Sequence, residues 1–157
     1  MNTTDIAEVF LSTNIAQVLL VENNPLDAGL IMRSIKKSPF AGTVLWLHDG
    51  AEALEYLRRD GRYAGLNGAG RALLMLLDLR MPKVDGLDLL RALQSTPRAD
   101  RPAIVIMTSA AIDADVAAAY ELGANSVILK PIAPAELNST IDDICRYWLQ
   151  HNRLADL

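Results

Sequence analysis

Apolar and polar positions alternate along the chain in a way that predicts strands and helices in turn. Five short runs are apolar at almost every position, which is typical of parallel strands covered on both faces of a sheet. They span residues 17–21, 43–47, 73–77, 103–107 and 126–129. The stretches between them have helical periodicity, as with Leu30, Ile31 and Ile35. This alternation predicts an α/β fold, here a doubly wound, five-stranded parallel sheet of the flavodoxin-like type.

Turn-forming and capping residues mark where the predicted helices begin and end. Pro39 is expected to stop the first helix, and Asp49 is expected to cap the second. Gly123 is placed to end the fourth helix in a left-handed conformation. Residues 61–71 are rich in glycine and alanine, so they predict a loop before the third strand.

The predicted elements fit one domain with short tails. A length of 157 residues and an apolar content of 51% are those of a single globular domain with its own core. The last helix is expected to continue beyond Trp148 as a C-terminal helical extension. We divide the chain into an N-terminal tail, a domain and a C-terminal tail: residues 1–15, 16–150 and 151–157.

Charge and cysteine content narrow the possible functions. The net charge is −4 and lysines and arginines are not clustered, so no nucleic-acid partner is expected. The single cysteine, Cys145, excludes an internal disulfide and is expected to be a small buried residue on a helix. No signal peptide is recognisable, and no apolar run reaches the roughly 20 residues that cross a bilayer. We expect a cytoplasmic protein without membrane contact.

The residues that end the strands are the candidates for chemistry, because ligands of doubly wound sheets bind beyond the carboxyl ends of the strands. These residues are Glu22, Asn23, Asp78, Thr108 and Lys130. Asp78 follows five apolar residues, where a carboxylate can act as a nucleophile and form an acyl phosphate. Taken alone, Asp78 is also compatible with an ordinary capping or loop aspartate.

The other strand ends suit the same reaction. Glu22 and Asn23 offer hard oxygen ligands for Mg²⁺, although the pair alone is equally typical of a turn before a helix. The Thr108 hydroxyl is suited to hydrogen-bond a phosphoryl oxygen, and the Lys130 ammonium is suited to pair with phosphate. Because four of the five strands end in such groups, the combination predicts metal-assisted phosphoryl transfer.

Four segments together resemble the receiver domain of bacterial response regulators. They read LLVENNP, LLDLRMPKVDG, MTSA and LKP, at residues 19–25, 76–86, 107–110 and 129–131. The similarity covers roughly residues 16–150 and implies a signalling protein of the two-component type, with no dedicated enzymatic turnover. It also implies a sensor histidine kinase as the source of the phosphoryl group.

The resemblance assigns roles by position. Asp78 corresponds to the phospho-acceptor, Thr108 to the switch hydroxyl and Lys130 to the family lysine. Glu22 and Asn23 occupy the metal-binding acidic pair. Arg80, two residues after the acceptor, is expected to offer its backbone carbonyl to the metal. The resemblance also implies a cis peptide bond between Lys130 and Pro131.

Two peripheral segments suggest a narrower resemblance. They are RDGRY and ICRYWL, at residues 59–63 and 144–149. Together they resemble the stand-alone regulators that pair with bacterial and cyanobacterial phytochrome kinases. This implies a phytochrome as the kinase and a homodimer formed through the C-terminal region. The aromatic residues of the second segment are equally compatible with packing on their own domain.

Two positions depart from the family pattern and keep an alternative open. Asn23 stands where the family usually has aspartate, and Val127 stands where many receivers have an aromatic residue. A pseudo-receiver that binds partners without phosphorylation is therefore a second hypothesis. An aspartate-nucleophile phosphatase of the haloacid dehalogenase type is disfavoured, because it needs an aspartate where this chain has Arg80.

Overall fold

The computed structural model describes residues 16–66, 72–110 and 112–155. Within them lies a parallel five-stranded sheet with the strand order β2-β1-β3-β4-β5. The strands are β1 (Val18–Val21), β2 (Val44–Leu47), β3 (Leu74–Leu77), β4 (Ala103–Thr108) and β5 (Ser126–Leu129). The helices are α1 (Pro25–Lys37), α2 (Gly50–Arg58), α3 (Gly86–Leu93), α4 (Asp113–Glu121) and α5 (Pro134–Cys145). The predicted fold class is confirmed.

The pleat of the strands divides the apolar core into two layers. In β1 and β3, Leu19 and Met75 face the layer beneath α2, α3 and α4. Their neighbours Leu20 and Leu76 face the opposite layer, where α1 packs against α5. Since all four side chains are almost fully buried, the two inner strands are covered on both faces, as their apolar sequences predict.

Side-chain caps fix the start of the helices that follow the site. The Asn24 side chain accepts the backbone N–H of Leu26 at the start of α1. The Asp49 carboxylate accepts the backbone N–H of Glu52 at 2.8 Å, which confirms the predicted cap of α2. Asp85 and Asp88 form a reciprocal capping box at the start of α3.

Two predictions from the apolar pattern need correction. The edge strand β5 is only half-buried, and Leu129 is 60% exposed. The last helix keeps α-helical geometry only to Cys145 and continues as a π-helical segment, Arg146–His151. Trp148 in that segment packs against the layer between α1 and α5, whereas Tyr147 is 54% exposed.

The structure describes only part of the predicted loop and of the predicted tails. Gly61–Tyr63 forms a 3₁₀ turn at the start of the loop. Residues 67–71 and the predicted N-terminal tail, residues 1–15, lie outside the described part of the chain, as do residues 156–157. Gly123 has a φ of 98°, which confirms the left-handed end of α4. Among the described residues, no helix is both long and apolar enough to cross a membrane.

Candidate functional site

The pleat carries three of the predicted site residues to the same face of the sheet. Glu22, Asp78 and Lys130 each directly follow a strand. Each comes two positions after a residue that packs in the layer between α1 and α5: Leu20, Leu76 and Ile128. Because side chains alternate along a strand, these spacings direct all three charged groups to that face, beyond the carboxyl ends of the strands.

Lys130 lies at the centre of this cluster and contacts three carboxylates. Its Nζ atom donates to Glu22 Oε2 at 2.9 Å and to Asp27 Oδ2 at 3.0 Å. The distance from Nζ to Asp78 Oδ2 is 4.0 Å, which is an ionic contact but too long for a hydrogen bond. The Lys130 side chain is 9% exposed, so these charges interact with little screening by water.

The neighbouring charges decide the protonation of this cluster. Burial alone would lower the pKa of Lys130, but the hydrogen bond to Glu22 and the charges of Glu22 and Asp78 raise that pKa above its usual value. Burial raises the pKa of Glu22, against hydrogen bonds from Lys130 and from the Asn24 backbone. At neutral pH the two groups form an ion pair, because the proton is held on the Lys130 ammonium.

The backbone around Asp78 is closely packed. Asp78 is 8% exposed, and its Oδ1 atom accepts the backbone N–H of Arg80 at 3.2 Å. The chain returns at Gly86, whose N–H donates to the carbonyl of Leu79 at 3.0 Å. A Cβ atom at position 86 would lie 2.6 Å from the Asp78 carbonyl oxygen, so only glycine permits this approach. Gly86 of the Asp85–Gly86 pair is therefore required for steric reasons next to Asp78.

Thr108 ends β4 with a different orientation from the charged residues. It comes two positions after Ile106, which packs in the opposite layer, and its side chain is fully buried. Its hydroxyl donates to the carbonyl of Ala110 at 3.3 Å and accepts the N–H of the same residue at 3.4 Å. In this structure Thr108 therefore holds the loop after β4, and its hydroxyl is not bonded to the charged cluster.

The predicted metal ligands are all oxygen donors at one edge of the sheet. Glu22 and Asp78 supply two carboxylates, while Asn23 is exposed and would supply a neutral amide oxygen. Within the described residues no three acidic, histidine or cysteine side chains group as a metal site. These oxygen donors are of the kind that a hard cation prefers. Asn23 gives the site one negative charge fewer than an aspartate at that position would provide. The Arg80 carbonyl is carried by the loop that wraps Asp78.

The expectation of a cis bond before Pro131 is wrong for this structure. Among the described residues no peptide bond is cis. The trans form is favoured by about 0.5–1 kcal/mol for bonds before proline. With the bond trans, the Lys130 N–H still reaches the Thr108 carbonyl at 2.7 Å, and its ammonium still reaches Glu22.

Sequence reasoning missed two residues of the site. Asp27 lies in the first turn of α1, where an acidic residue is usually explained by the helix dipole, yet its carboxylate contacts Lys130. Trp46 of β2 donates its indole N–H to the Glu22 carbonyl at 2.8 Å. The signal for both was their place near the carboxyl ends of strands, but an acid on a helix and a half-buried tryptophan also have common structural explanations.

A polar cavity of about 330 Å³ lies at the opposite end of the sheet and contains none of the predicted site residues. It is bordered by the start of β4 and by the C-terminal segment, including Arg101, Trp148 and Arg153. The candidate site lies at the carboxyl ends of the strands, where Glu22, Asp78 and Lys130 are largely buried. This edge is the candidate functional site because the charged groups converge there.

A parallel sheet with this strand order, an aspartate after β3 and a lysine after β5 define the receiver class of signalling domains. The family model for the response regulator receiver domain matches residues 18–142. The chain belongs to this family.

Within the family, the chain is similar to regulators from two different organisms. It is 40% identical to the probable methanogenesis regulatory protein FilR2 of Methanothrix harundinacea over 138 residues, which cover 87% of this chain and 85% of FilR2. It is 32% identical to the response regulator Rcp1 of Synechocystis over 133 residues, which cover 85% of this chain and 88% of Rcp1.

Two solved structures share the fold along nearly their whole length. The phosphorylated cyanobacterial phytochrome response regulator RcpA has a TM-score of 0.79 and 34% identity, covering 88% of this chain and 97% of RcpA. The Mn²⁺-bound form of Rcp1 has a TM-score of 0.77 and 32% identity, covering 88% of this chain and 98% of Rcp1. The resemblance to phytochrome-linked regulators is confirmed.

Proposed function

We propose that this receiver accepts a phosphoryl group on Asp78 from a sensor histidine kinase. The observation that carries the proposal is the placement of the Asp78 carboxylate at the end of β3, 4.0 Å from the buried ammonium of Lys130. The Lys130 ammonium therefore lies near the position that the negatively charged oxygens of a phosphoryl group on Asp78 would take. Phosphorylation of the relative RcpA supports the same role here.

The transfer needs few groups. An oxygen of the ionised Asp78 attacks the phosphorus of a phosphohistidine, so that a P–O bond forms while the P–N bond breaks and the imidazole leaves. Lys130 stabilises charge on the phosphoryl oxygens. The Thr108 hydroxyl, now bonded to the Ala110 backbone, would have to leave that partner to reach the phosphoryl group.

Mg²⁺ is the proposed cation of the site. Glu22, Asn23, Asp78 and the carbonyl of Arg80 would hold it, since all four offer the oxygen ligands that this ion prefers. When bound, the ion would neutralise part of the charge on the transferred group. The Mn²⁺-bound form of the relative Rcp1 supports a divalent ion as a ligand of this chain.

A phytochrome is the proposed kinase, and signalling output is proposed to pass through protein contacts. The similarity to RcpA supports this choice. The identity to FilR2, a probable methanogenesis regulatory protein, is higher than the identity to RcpA, so a histidine kinase other than a phytochrome is the competing assignment. Phosphotransfer rates from a purified phytochrome kinase and from other histidine kinases of the source organism decide between the two. A faster rate from another kinase would refute the phytochrome assignment.

A homodimer is proposed for the assembled protein. The C-terminal π-helical segment presents Tyr147, which is 54% exposed, while its neighbour Trp148 packs on the domain itself. The proposal rests on the similarity to phytochrome-linked regulators, and Tyr147 is the exposed aromatic side chain of this segment that a second subunit would cover.

A pseudo-receiver remains the second candidate, and Asn23 is the observation that favours it, because the amide removes one charge from the metal site. Incubation with acetyl phosphate and Mg²⁺ separates the two functions. The proposal predicts a hydroxylamine-sensitive phosphoryl group on the wild-type protein and none on Asp78→Asn. Asp143→Asn, which changes an exposed carboxylate of α5, is the matched control and should react normally. A wild-type protein that gains no phosphoryl group would favour the pseudo-receiver.

A further inference from the structure

Lys130 is held by a carboxylate that plays no part in the phosphoryl transfer described above. Asp27 Oδ2 accepts a hydrogen bond from Lys130 Nζ at 3.0 Å, nearly as short as the bond from Nζ to Glu22. An ammonium has three N–H donors, and these two carboxylates occupy two of them. Asp78, the proposed acceptor, is left at 4.0 Å.

The two carboxylates that hold Lys130 differ in what they lose when the ammonium moves. The Glu22 side chain is 1% exposed, so water cannot replace the ammonium as its partner. The Asp27 side chain is 37% exposed, and water can replace the ammonium there. If the ammonium turns toward a group on Asp78, the contact with Asp27 is therefore the one that breaks.

We propose that Asp27 competes with the phosphoryl group on Asp78 for Lys130 and thereby lowers the stability of the phosphorylated state. Asp27 is a positioning residue in this account, because it acts on the reaction only through the lysine. The inference rests on the proposed function. No covalent step is involved: one hydrogen bond of the ammonium is exchanged for another.

The backbone of α1 makes this competition testable by substitution. The Asp27 backbone N–H is accepted by the Asn24 side chain, so the helix cap does not depend on the Asp27 carboxylate. Asp27→Asn keeps the shape and removes the charge. Asp113→Asn is the matched control, since Asp113 is an exposed acid at the start of α4, at the same end of the sheet, and is not one of the carboxylates in contact with Lys130.

The experiment measures the affinity of the full chain for beryllofluoride, an analogue of the phosphoryl group, in saturating Mg²⁺. Release of a partly exposed ion pair worth about 1 kcal/mol should tighten binding by Asp27→Asn about fivefold. Asp113→Asn should bind like the wild type, and Asp27→Glu should remain closer to the wild type than Asp27→Asn. In a Lys130→Met background, the substitution of Asp27 should have no effect, because Asp27 acts only through the lysine. The wild type, the two single variants and the double variant form a double-mutant cycle that isolates this coupling.

Each other outcome contradicts the inference in a recognisable way. Equal or weaker binding by a folded Asp27→Asn would show that Asp27 does not compete. An equal gain in Asp113→Asn would reduce the effect to general charge. If wild type and Asp78→Asn both fail to bind beryllofluoride, the proposed function itself fails and the competition fails with it.

Discussion

At the scale of single residues, the pairing of Lys130 with buried Glu22 makes a prediction about stability and pH. Lys130→Met leaves the Glu22 carboxylate in the core without its cation, and breaking such a pair costs about 3–5 kcal/mol. Burial raises the folded-state pKa of Glu22 above its usual 4.5, and loss of the ammonium removes a group that lowers it. The folded state then binds a proton more tightly than the unfolded state, so stability is present below pH 4.5 and is lost as the pH rises through the folded-state value.

Urea denaturation of wild type and Lys130→Met across this pH range measures the effect. The difference in unfolding free energy should grow from acid to neutral pH. The same difference at every pH would show that the variant loses packing alone. Adding Glu22→Gln to Lys130→Met should remove most of the pH dependence.

Asn23 makes a second prediction at this scale. Asn23→Asp adds a third carboxylate beside Glu22 and Asp78, and hard cations respond to ligand charge. Repulsion among the acids offsets part of the gain, so we expect Mg²⁺ affinity to rise about tenfold. Calorimetric titration of both proteins tests this. Equal or weaker affinity in the variant would show that ligand charge does not limit binding here.

The sequence predicted a residue of the candidate site only where the position of that residue had no common structural role to explain it. Asp78, Glu22 and Lys130 were identifiable because polar groups directly after apolar strands must lie at the ligand-binding edge. Asp27 was not, since an acid in the first turn of a helix already has a standard role. The orientation of Thr108 toward Ala110 depends on the loop conformation, about which the strand pattern carries no information.

At the scale of elements, Glu52 joins the β2–α2 connection to the 3₁₀ turn that follows α2. Its carboxylate accepts the backbone N–H of His48 at 2.7 Å and the hydroxyl of Tyr63 at 2.8 Å. Burial alone would raise the pKa of Glu52, but these hydrogen bonds hold it below its usual value. Such a group stabilises the fold above the unfolded-state value of 4.5 and loses that contribution as the pH falls through the folded-state value.

Glu52→Gln should therefore destabilise the protein by about 1–3 kcal/mol at neutral pH, because an amide oxygen replaces a carboxylate with two acceptors. The loss should shrink as the pH falls below 4.5 and through the lowered folded-state pKa of Glu52, because the wild-type carboxyl is then protonated as well. Thermal denaturation at neutral and acid pH measures both values. Glu55→Gln, on the same helix and more exposed, is the control. A loss that does not change with pH would contradict this account.

Element boundaries that depend on tertiary packing were less predictable than the elements themselves. All five strands and their order follow from apolar runs, helical spacing and the rules of doubly wound sheets. The half-exposed face of β5 could not be read from its sequence, because an edge strand and an inner strand can have the same composition. The change from α to π geometry after Cys145 likewise has no marker such as proline or glycine.

At the scale of the whole molecule, the proposed homodimer makes a prediction about one exposed side chain. Truncation would also remove Trp148 from the core, so Tyr147→Ser is the sharper variant. Wild type should sediment as a dimer at high micromolar concentration, and Tyr147→Ser should shift toward the monomer. Leu26→Ser, which removes an exposed apolar residue at the other end of the sheet, should not. A wild-type protein that sediments as a monomer at that concentration would end the proposal.

The central claim is that Asp78 is the residue that carries the phosphoryl group. Borohydride reduces an aspartyl phosphate to homoserine, so the modified position can be located by mass spectrometry of peptides after transfer from a histidine kinase. The account predicts homoserine at position 78 in the wild type, in proportion to the phosphoryl group bound, and no homoserine in Asp78→Asn. Homoserine at another aspartate, such as Asp27 or Asp85, with residue 78 unchanged would contradict it.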